Sequence, residues 1–497
     1  MKRLIDIVLL TFLTCFILNW RMSNTDRPPD ISIGCSAYAS NGYDDLISGR
    51  DIILPNYSTV PKKGQTIIEQ TTGVPITRMT DIHDPTIDQP GLIIVYSRYT
   101  PLNTTGQYLL VHGEDSTSSW VYRVDDYAVI DKLRLNDTES IGEVNEIRWD
   151  YSGLHPTRVY FVADMKLYAM DVLNQDKTRS VIHDFSKDFP DGVQILNDVE
   201  GDSSADSRYW AFMVRGRYNG KEFPILRIIT YDVESDKILG ILKPSDVGKT
   251  KSLPRPNMVE ISPKGTRVIT HYGRCWAENR PEDIGTPLDG PHAWTLDFKN
   301  PVKIAVDETH SGWSFDMAGN EMFVSQNNRT DYTEARNIYT GETISIIAHQ
   351  DMGWGNGFHY GKFYTSMNPG WIFISTYAET NDEWANNQLF MVEMKPANEN
   401  PRVLRITPTY NTYDGDYRDE AAAALSFDGT QIFWTANWGK KLENGQREVF
   451  RTKLFKQDVD CIFDWIVREY PAYFQPSTAA TTWSGGDLVF RYFSNSL

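Results

Sequence analysis

Four residues of this chain combine the side chains of a tetrahedral metal site: Cys275, His292, His310 and His359. They stand near strand ends in a repeated pattern: His310 and His359 precede inner strands, Cys275 follows a second strand, and His292 opens a third strand. One thiolate and three imidazoles suit zinc, because both ligand types match its borderline softness. We therefore predict a structural zinc ion, with His271 as reserve ligand. The alternative is a set of hydrogen-bonded histidines that line a polar channel.

A second set of side chains suits proton transfer. Elimination beside a uronic acid carboxylate requires a group that neutralises the carboxylate, a base, and an acid for the leaving oxygen. We predict Arg215 or Arg98 as the neutraliser, His112 as the base, and Tyr218 or Tyr272 as the acid. Substrate binding is predicted for Arg98 together with three further residues, namely Arg217, His83 and Asn257. A purely structural role is the alternative for each of them.

Paired carboxylates offer a different chemistry, because two of them flanking a glycosidic bond can hydrolyse it. The candidates are Glu146, Glu200, Asp414 and Glu420. A glycoside hydrolase is therefore one alternative function. A scaffold that binds carbohydrate without catalysis is another, since a fold by itself does not dictate activity.

The elements that must position these residues follow from a short sequence motif, called a turn phrase below, that occurs seven times, about 50 residues apart. In each copy a turn with Gly, Asp or Asn leads into an apolar strand. The strands are Tyr108–Val111, Val159–Val162, Tyr209–Val214, Val268–Thr270, Met322–Val324, Trp371–Ser375 and Ile432–Thr435. A second apolar strand follows each copy, as at Trp120–Val124 and Leu389–Glu393.

Four-stranded units at this period are typical of β-propeller blades, which stack around a channel because one blade cannot bury both of its faces. We predict an all-β, seven-bladed β-propeller of four-stranded antiparallel blades. Residues before the inner strand or after the second strand of a blade then gather at one channel mouth. A strand from the start of the chain, Pro75–Thr80, is predicted to close the ring.

Composition narrows the class of protein. The chain has 497 residues and a net charge of −17, which disfavours nonspecific binding to nucleic acid. Residues 1–21 resemble a secretory signal, with Lys2 and Arg3 before a short apolar run, so export is expected and no membrane-spanning segment is predicted. Residues 22–71 are assigned to an N-terminal extension, 72–458 to the propeller and 459–497 to a C-terminal extension. A monomer is expected.

Three cysteines remain after removal of the signal, and export permits a disulfide. Cys35 and Cys461 would link the two ends of the propeller. Cys275 is left for the metal site or, alternatively, for the core as a small buried side chain.

Several phrases resemble exported bacterial propeller polysaccharide lyases, most closely the ulvan lyases and more distantly the oligogalacturonate lyases. The phrases are Tyr96-Ser97-Arg98, Glu200 to Ser204 with Arg208-Tyr209-Trp210, His310-Ser311, His359, Pro369 to Tyr377, and Asn437-Trp438-Gly439. The resemblance implies β-elimination on a sulfated, uronate-containing acidic polysaccharide. It also implies a histidine and tyrosine as acid and base, an arginine (here Arg215) as neutraliser, and a zinc site. The second blade departs from this pattern, with Asn145, Glu146, Asp164 and Lys166 where those lyases place histidines.

Overall fold

The computed structural model describes residues 46–114, 118–133, 147–174, 178–275, 277–442 and 445–454. They all lie in one compact unit, Tyr43–Phe455. Signal-like residues 1–21, the cysteines at 35 and 461, and Glu146 lie outside the described residues. None of the described helices is long and apolar enough to cross a membrane.

The described strands form seven antiparallel sheets, which are the blades of a β-propeller. In blades 1 to 3, strands adjacent in sequence are adjacent in the sheet. From the inside outward, the strands of blade 1 are β3 (Leu92–Ile93), β4 (Tyr108–Gly113), β5 (Ser119–Arg123) and β6 (Val129–Leu133). Those of blade 2 are β7 (Arg148–Trp149), β8 (Arg158–Ala163), β9 (Lys166–Asp171) and β10 (Arg179–Asp184). Those of blade 3 are β11 (Gly192–Leu196), β12 (Tyr209–Gly216), β13 (Ile225–Asp232) and β14 (Lys237–Leu242).

Blades 4 to 6 repeat this order. Blade 4 contains β15 (Val259–Ile261), β16 (Val268–Thr270), β17 (His292–Trp294) and β18 (Val302–Lys303). Blade 5 contains β19 (Ser311–Phe315), β20 (Glu321–Asn327), β21 (Tyr332–Asn337) and β22 (Thr343–Ala348). Blade 6 contains β23 (Gly357–Tyr360), β24 (Trp371–Tyr377), β25 (Gln388–Glu393) and β26 (Val403–Pro408). The predicted seven-bladed architecture is confirmed.

Blade 7 is built from both ends of the described chain. It contains β27 (Ala424–Leu425), β28 (Gln431–Ala436), β29 (Glu448–Lys453), β2 (Pro75–Arg78) and β1 (Thr66–Ile68). Ile76 pairs with Thr452, and the Arg78 guanidinium lies 2.8 Å from the Glu448 carboxylate. The predicted closing strand is thus confirmed, although it ends at Arg78 and β1 adds a fifth strand that the repeat pattern did not indicate.

Among the residues that the structure describes, helices are few and short. They are one α-helix, α1 (His349–Met352), and the 3-10 helices Pro244–Val247, Pro281–Asp283, Ala397–Glu399 and Tyr417–Asp419. The 3-10 helix Tyr417–Asp419 stands just before the inner strand of blade 7, so it helps to shape the channel mouth.

The predicted turn phrases connect each inner strand to the second strand. In the phrase of blade 7, Gly429 has φ +70°, and the Asp428 carboxylate accepts a 3.0 Å hydrogen bond from the Thr430 amide. This position needs a left-handed backbone conformation, which glycine adopts without the steric cost of a Cβ. Blade 3 uses a non-glycine residue instead, Ser207, with φ +57°.

The core lies in layers between neighbouring blades. Side chains alternate along β8, so that Val159 and Phe161 pack toward blade 1, whereas Tyr160 and Val162 pack toward blade 3. Successive side chains of a strand point to opposite faces, and both faces of a blade are covered by its neighbours. This packing holds the inner strands rigidly around the channel.

Candidate functional site

A cleft of about 340 Å³ opens at one mouth of the channel. Its walls come mainly from residues before or at the start of the inner strands of blades 4 to 6 and near the ends of the second strands of blades 5 and 6. The lining residues are Glu200, Asn257, Glu308, Thr309, His310, Gln326, Asn356, Gly357, Phe358 and Tyr377. These are the positions in a blade at which the repeat pattern predicts that residues gather.

Two histidines stack at this mouth. The rings of His310 and His359 lie 4.5 Å apart between centroids, with 23° between their planes. His310 donates from Nδ1 to the Phe358 carbonyl at 2.7 Å, and its Nε2 makes no hydrogen bond to a described residue. Burial, with a smaller effect of His359, lowers the pKa of His310 to about 4. At neutral pH its Nε2 therefore carries a lone pair and can accept a proton.

His359 is tied to a carboxyl group of blade 7. Its Nε2 lies 2.7 Å from Glu420 Oε2, and burial lowers the pKa of His359 to about 3. Burial raises the pKa of Glu420 to about 7. The imidazole is thus neutral and donates its N–H to the carboxyl group.

Glu308 is, after Glu420, a second carboxyl group whose pKa is raised. It accepts a 3.1 Å hydrogen bond from Asn257 Nδ2. Burial and the nearby charge of Glu200 raise the pKa of Glu308 to about 7, and burial also raises that of Glu200. Near neutral pH, Glu308 is therefore partly protonated and can donate a hydrogen bond.

Strained backbone carries Glu200 to the mouth. The two preceding residues, Asp198 and Val199, have φ of +64° and +60°, which is costly for a β-branched side chain. The buried Arg148 guanidinium donates to the Val199 carbonyl and, at 2.8 Å, to the Gly201 carbonyl. A Cβ on Gly201 would lie 2.2 Å from the Val259 carbonyl oxygen. Several contacts thus impose a conformation that local preference disfavours.

Below the cleft, buried ion pairs link blades across the channel. Arg98 of blade 1 pairs with Glu260 of blade 4, which also accepts a 2.9 Å hydrogen bond from His271. Lys362 of blade 6 donates to Asp202 of blade 3 at 2.8 Å. Arg98, predicted to bind substrate, is fully buried, so its charge serves this internal contact.

The four predicted catalytic residues are not among those that line the cleft. His112 is buried, with Nδ1 2.9 Å from Ser119 Oγ, and burial lowers its pKa to about 3. Arg215 donates to Gln194 at 2.8 Å. Tyr218 is exposed beside Phe223, and Tyr272 is fully buried. The structure therefore does not bring these four residues together as an acid–base group at this mouth.

The predicted substrate-binding residues divide between the cleft and the surface. Asn257 lines the cleft. Arg217 is exposed after β12, and His83 is exposed in the turn after β2. Among the predicted carboxylates, Glu200 lines the cleft and Glu420 contacts His359, whereas Asp414 pairs at the surface with Lys440.

The donors proposed for zinc are engaged in other contacts. Cys275 Sγ donates to the Leu288 carbonyl at 3.2 Å, and His292 Nδ1 to the Gly290 carbonyl at 2.9 Å. Of the four residues, only His310 and His359 lie in ring contact. Within the described ranges, no group of three or more His, Cys, Asp or Glu residues is placed to hold a metal ion. This donor set does not fit a tetrahedral zinc ion.

Sequence reasoning assigned no role to Glu308, Gln326 or Tyr377, which all line the cleft. A signal for Glu308 existed, because it precedes β19 by a few residues, as Asn257 precedes β15. Tyr377, the last residue of β24, was quoted only as the end of a phrase.

Comparisons with known proteins support the architecture. The oligogalacturonate lyase of Vibrio parahaemolyticus is 12% identical, with a TM-score of 0.52 over 81% of this chain and 98% of that one. The chain shares its fold with this lyase. At this identity the likeness concerns the fold alone.

Two further solved structures align less well. Hydrazine synthase of Kuenenia stuttgartiensis is 10% identical, with a TM-score of 0.42 over 74% of this chain and 98% of that one. A functionally unknown protein of Desulfotomaculum acetoxidans is 10% identical, with a TM-score of 0.38 over 67% and 89% of the two chains. No protein-family model matches the sequence, and no curated protein matches it. The resemblance to ulvan lyases stays a prediction.

Proposed function

We propose that this protein is a polysaccharide lyase that cleaves a uronate-containing acidic polysaccharide by β-elimination at the mouth cleft. The observation that carries the proposal is the neutral imidazole of His310, whose Nε2 makes no hydrogen bond to a described residue and which lines the same cleft as Glu308, a carboxyl group of raised pKa. The shared fold with an oligogalacturonate lyase is consistent with it.

In this mechanism Glu308 and Asn257, and not an arginine, neutralise the uronate carboxylate. A protonated Glu308 and the Asn257 amide can both donate hydrogen bonds to the uronate carboxylate. These bonds stabilise the negative charge that develops when the proton on the adjacent carbon leaves. Because protonated Glu308 is neutral, it does not repel the substrate.

His310 and Tyr377 complete the proposed mechanism. His310 Nε2 takes the proton from the carbon next to the carboxylate, and the electron pair of that C–H bond forms a carbon–carbon double bond. The bond from the neighbouring carbon to the glycosidic oxygen breaks, and the Tyr377 hydroxyl gives that oxygen a proton. The products are an unsaturated uronate and a new chain end, and the proton on His310 returns to Tyr377 through solvent.

The identity of the polymer and the location of the protein are also proposals. A sulfated, ulvan-like chain is the first substrate to test, on the strength of the phrases shared with ulvan lyases. Residues 1–21 support export, to a periplasmic or extracellular place where such polymers are met. We propose that the exported protein acts as a monomer.

The decisive experiment measures the ultraviolet absorbance of unsaturated uronate during incubation with ulvan and a panel of other uronate polymers. We expect the absorbance to rise, and His310→Ala to reduce kcat about 10²–10⁴-fold, as for loss of a general base. His155→Ala is the matched control, because His155 is exposed in the turn between β7 and β8. No rise on any polymer, or an unaffected His310→Ala variant, would contradict the proposal.

A glycoside hydrolase is the second candidate. Glu200 and Glu308 interact electrostatically, and the pKa of Glu308 is raised to about 7, as hydrolysis by an acid and a carboxylate requires. Release of reducing ends without unsaturated product would favour hydrolysis. If neither signal appears, a carbohydrate-binding propeller remains.

A further inference from the structure

The hairpin that joins β12 to β13 in blade 3 lies on the mouth side of the propeller. Strand β12 is the second strand of its blade and ends at Gly216. Gln326 and Tyr377, at or near the ends of the second strands of blades 5 and 6, line the cleft. Equivalent strand ends of a propeller lie on the same side. The proposed mechanism gives this hairpin no role.

Hydrogen bonds fix the shape of the hairpin. The Gly216 amide donates to the Pro224 carbonyl at 2.8 Å, and the Asn219 amide donates to the Glu222 carbonyl at 3.0 Å. The Asn219 side-chain oxygen accepts 3.0 Å hydrogen bonds from the amides of Lys221 and Glu222. An Asn that bonds to the backbone in this way stabilises a tight turn. The residues that flank the turn are therefore held in set positions.

Two aromatic rings flank this turn and are open to solvent. Tyr218 is 57% exposed and Phe223 is 49% exposed, and their ring centroids lie 5.2 Å apart. The Arg215 guanidinium lies 5.4 Å from the centroid of the Phe223 ring and donates to Gln194 at 2.8 Å. The pair is thus supported from strand β12. Aromatic side chains that are held together in water are typical of a binding surface.

Three basic side chains accompany the rings. Arg217 and Lys221 are exposed in the hairpin itself. Lys251 is exposed in a segment that runs alongside, because Leu253 forms a β-bridge with Ile225, the first residue of β13. The Leu253 amide donates to the Ile225 carbonyl at 2.8 Å. None of these three cations forms an ion pair with a residue that the structure describes.

The charge of the hairpin differs from that of the whole chain. Its acidic residue is Glu222, so positive charges outnumber negative ones in residues 215–224, whereas the chain has a net charge of −17. A local excess of positive charge attracts anions. Carboxylates and sulfates pair with arginine and lysine, and aromatic rings pack against the apolar faces of sugars. An acidic polysaccharide combines both features.

The basic segment continues from the hairpin directly to the cleft. Arg255 pairs with Asp198, and Asn257 lines the cleft, where it donates to Glu308 at 3.1 Å. Since Asn257 is the fourth residue after Leu253, the Cα atoms of the two are at most about 14 Å apart. A polymer with one uronate at Asn257 and Glu308 can therefore extend along this segment to the hairpin.

We propose that this surface is a second binding site for an acidic polysaccharide chain. We call it the blade-3 platform, and it consists of Arg217, Tyr218, Lys221, Phe223 and Lys251. The rings contact sugar faces, and the cations pair with carboxylate or sulfate groups. Binding at the platform does not depend on elimination. That the bound chain continues into the cleft rests on the proposed function, and it implies a preference for long polymers over short fragments.

The test is titration calorimetry with ulvan and, as a neutral polymer, dextran. Binding is measured in the His310→Ala background, so that the polymer is not consumed by elimination. At low salt we expect ulvan to bind about tenfold or more tightly than dextran, because dextran has no anionic groups for the platform cations. Added salt should reduce this difference.

Variants of the basic residues assign the binding to the platform. The double variant Arg217→Ala/Lys221→Ala should weaken ulvan binding about three- to tenfold, as for the loss of two exposed ion pairs. Lys237→Ala/Lys395→Ala is the matched control, because it removes the same charge. Both lysines are exposed at hairpins between the third and fourth strands of their blades, on the side opposite the mouth. The control should leave the affinity nearly unchanged.

Variants of the rings test the aromatic contact. Tyr218→Ala/Phe223→Ala should weaken ulvan binding about tenfold through lost apolar contact, whereas Met317→Ala, at an 80% exposed position on blade 5, should not. On a polymer that the protein cleaves, the ring variants should raise KM and leave kcat unchanged, because the platform does not contact the reacting atoms. Circular dichroism checks that each variant is folded.

Equal binding of ulvan and dextran, or equal losses for the platform and control variants, would overturn the inference. The lyase proposal fails separately, through absence of unsaturated product. Platform-dependent binding without unsaturated product would support the platform and remove the lyase. Elimination with an unchanged KM in the platform variants would support the lyase and remove the platform.

Discussion

His310 and His359 belong to different blades, yet their imidazole rings stack with centroids 4.5 Å apart. The contact covers one face of the His310 ring, and His359 adds to the effect of burial, which lowers the pKa of His310. A 2.7 Å hydrogen bond to Glu420 fixes the position of His359. A neutral histidine on a rigid support is thereby presented to the cleft.

The pH profile follows from the pKa values of His310 and Glu308. The base must be unprotonated, which holds above about pH 4, and the neutralising acid must be protonated, which holds below about pH 7. We therefore expect kcat/KM to be highest between these values and to fall as the pH rises above 7. Initial rates on an active polymer across pH 4–9 test this expectation.

Glu308→Gln should remove the alkaline fall of that profile, because glutamine is neutral at every pH. Glu342→Gln, at an exposed position outside the cleft, should keep it. A Glu308→Gln variant with an unchanged alkaline limb would show that another group governs this limb.

Stability should also depend on the raised pKa of Glu308. The folded state binds this proton up to about pH 7, whereas the unfolded state loses it near the usual value of 4.5. The contribution of Glu308 therefore destabilises the fold progressively as the pH rises through this window. We expect Glu308→Gln to raise the free energy of unfolding more at pH 8 than at pH 5, by less than about 3 kcal/mol because the side chain is partly exposed. Denaturant unfolding at both pH values measures the difference, and a pH-independent effect would contradict it.

The buried ion pair of Arg98 should contribute to the stability of the fold. Arg98→Ala leaves the carboxylate of Glu260 buried without its charged partner, so we expect a loss of about 3–5 kcal/mol in the free energy of unfolding. Arg217→Ala, at an exposed position, should change it by less than about 0.5 kcal/mol. Similar losses for both arginines would argue against the cross-channel ion pair.

Val199 offers a test of strain at the mouth. Its φ of +60° is unfavourable for valine and easy for glycine. Val199→Gly should therefore raise the free energy of unfolding by about 1 kcal/mol. The same change at Val181, an exposed position in strand β10, should lower it by a similar amount. A destabilised Val199→Gly variant would show that the valine side chain contributes more than the backbone costs.

Much of the fold could be predicted because its information is local. Each turn phrase and the alternating strand that follows specify a β-hairpin, and seven hairpins at one period specify a propeller. The same reasoning identified Pro75–Thr80 as the closing segment, and the structure pairs Ile76 there with Thr452. It also placed His310 and His359 near the mouth, because the position of a residue within a blade indicates how far along the channel axis it lies.

Only the tertiary structure decided which residues of different blades face one another across the channel. Arg98 lies beside the predicted mouth in the repeat pattern, but its guanidinium reaches across to Glu260 of blade 4, which no local pattern reveals. Glu200 reaches the mouth because Arg148 and the crowded Gly201 impose two left-handed residues before it. The raised pKa of Glu308 depends likewise on burial and on Glu200 from another blade. The sequence by itself determined the blades and the height of each residue, since hydrogen bonding and side-chain alternation act over a few residues. The chemistry of the mouth was decided by tertiary structure, because charges interact through space between blades that are distant in the chain.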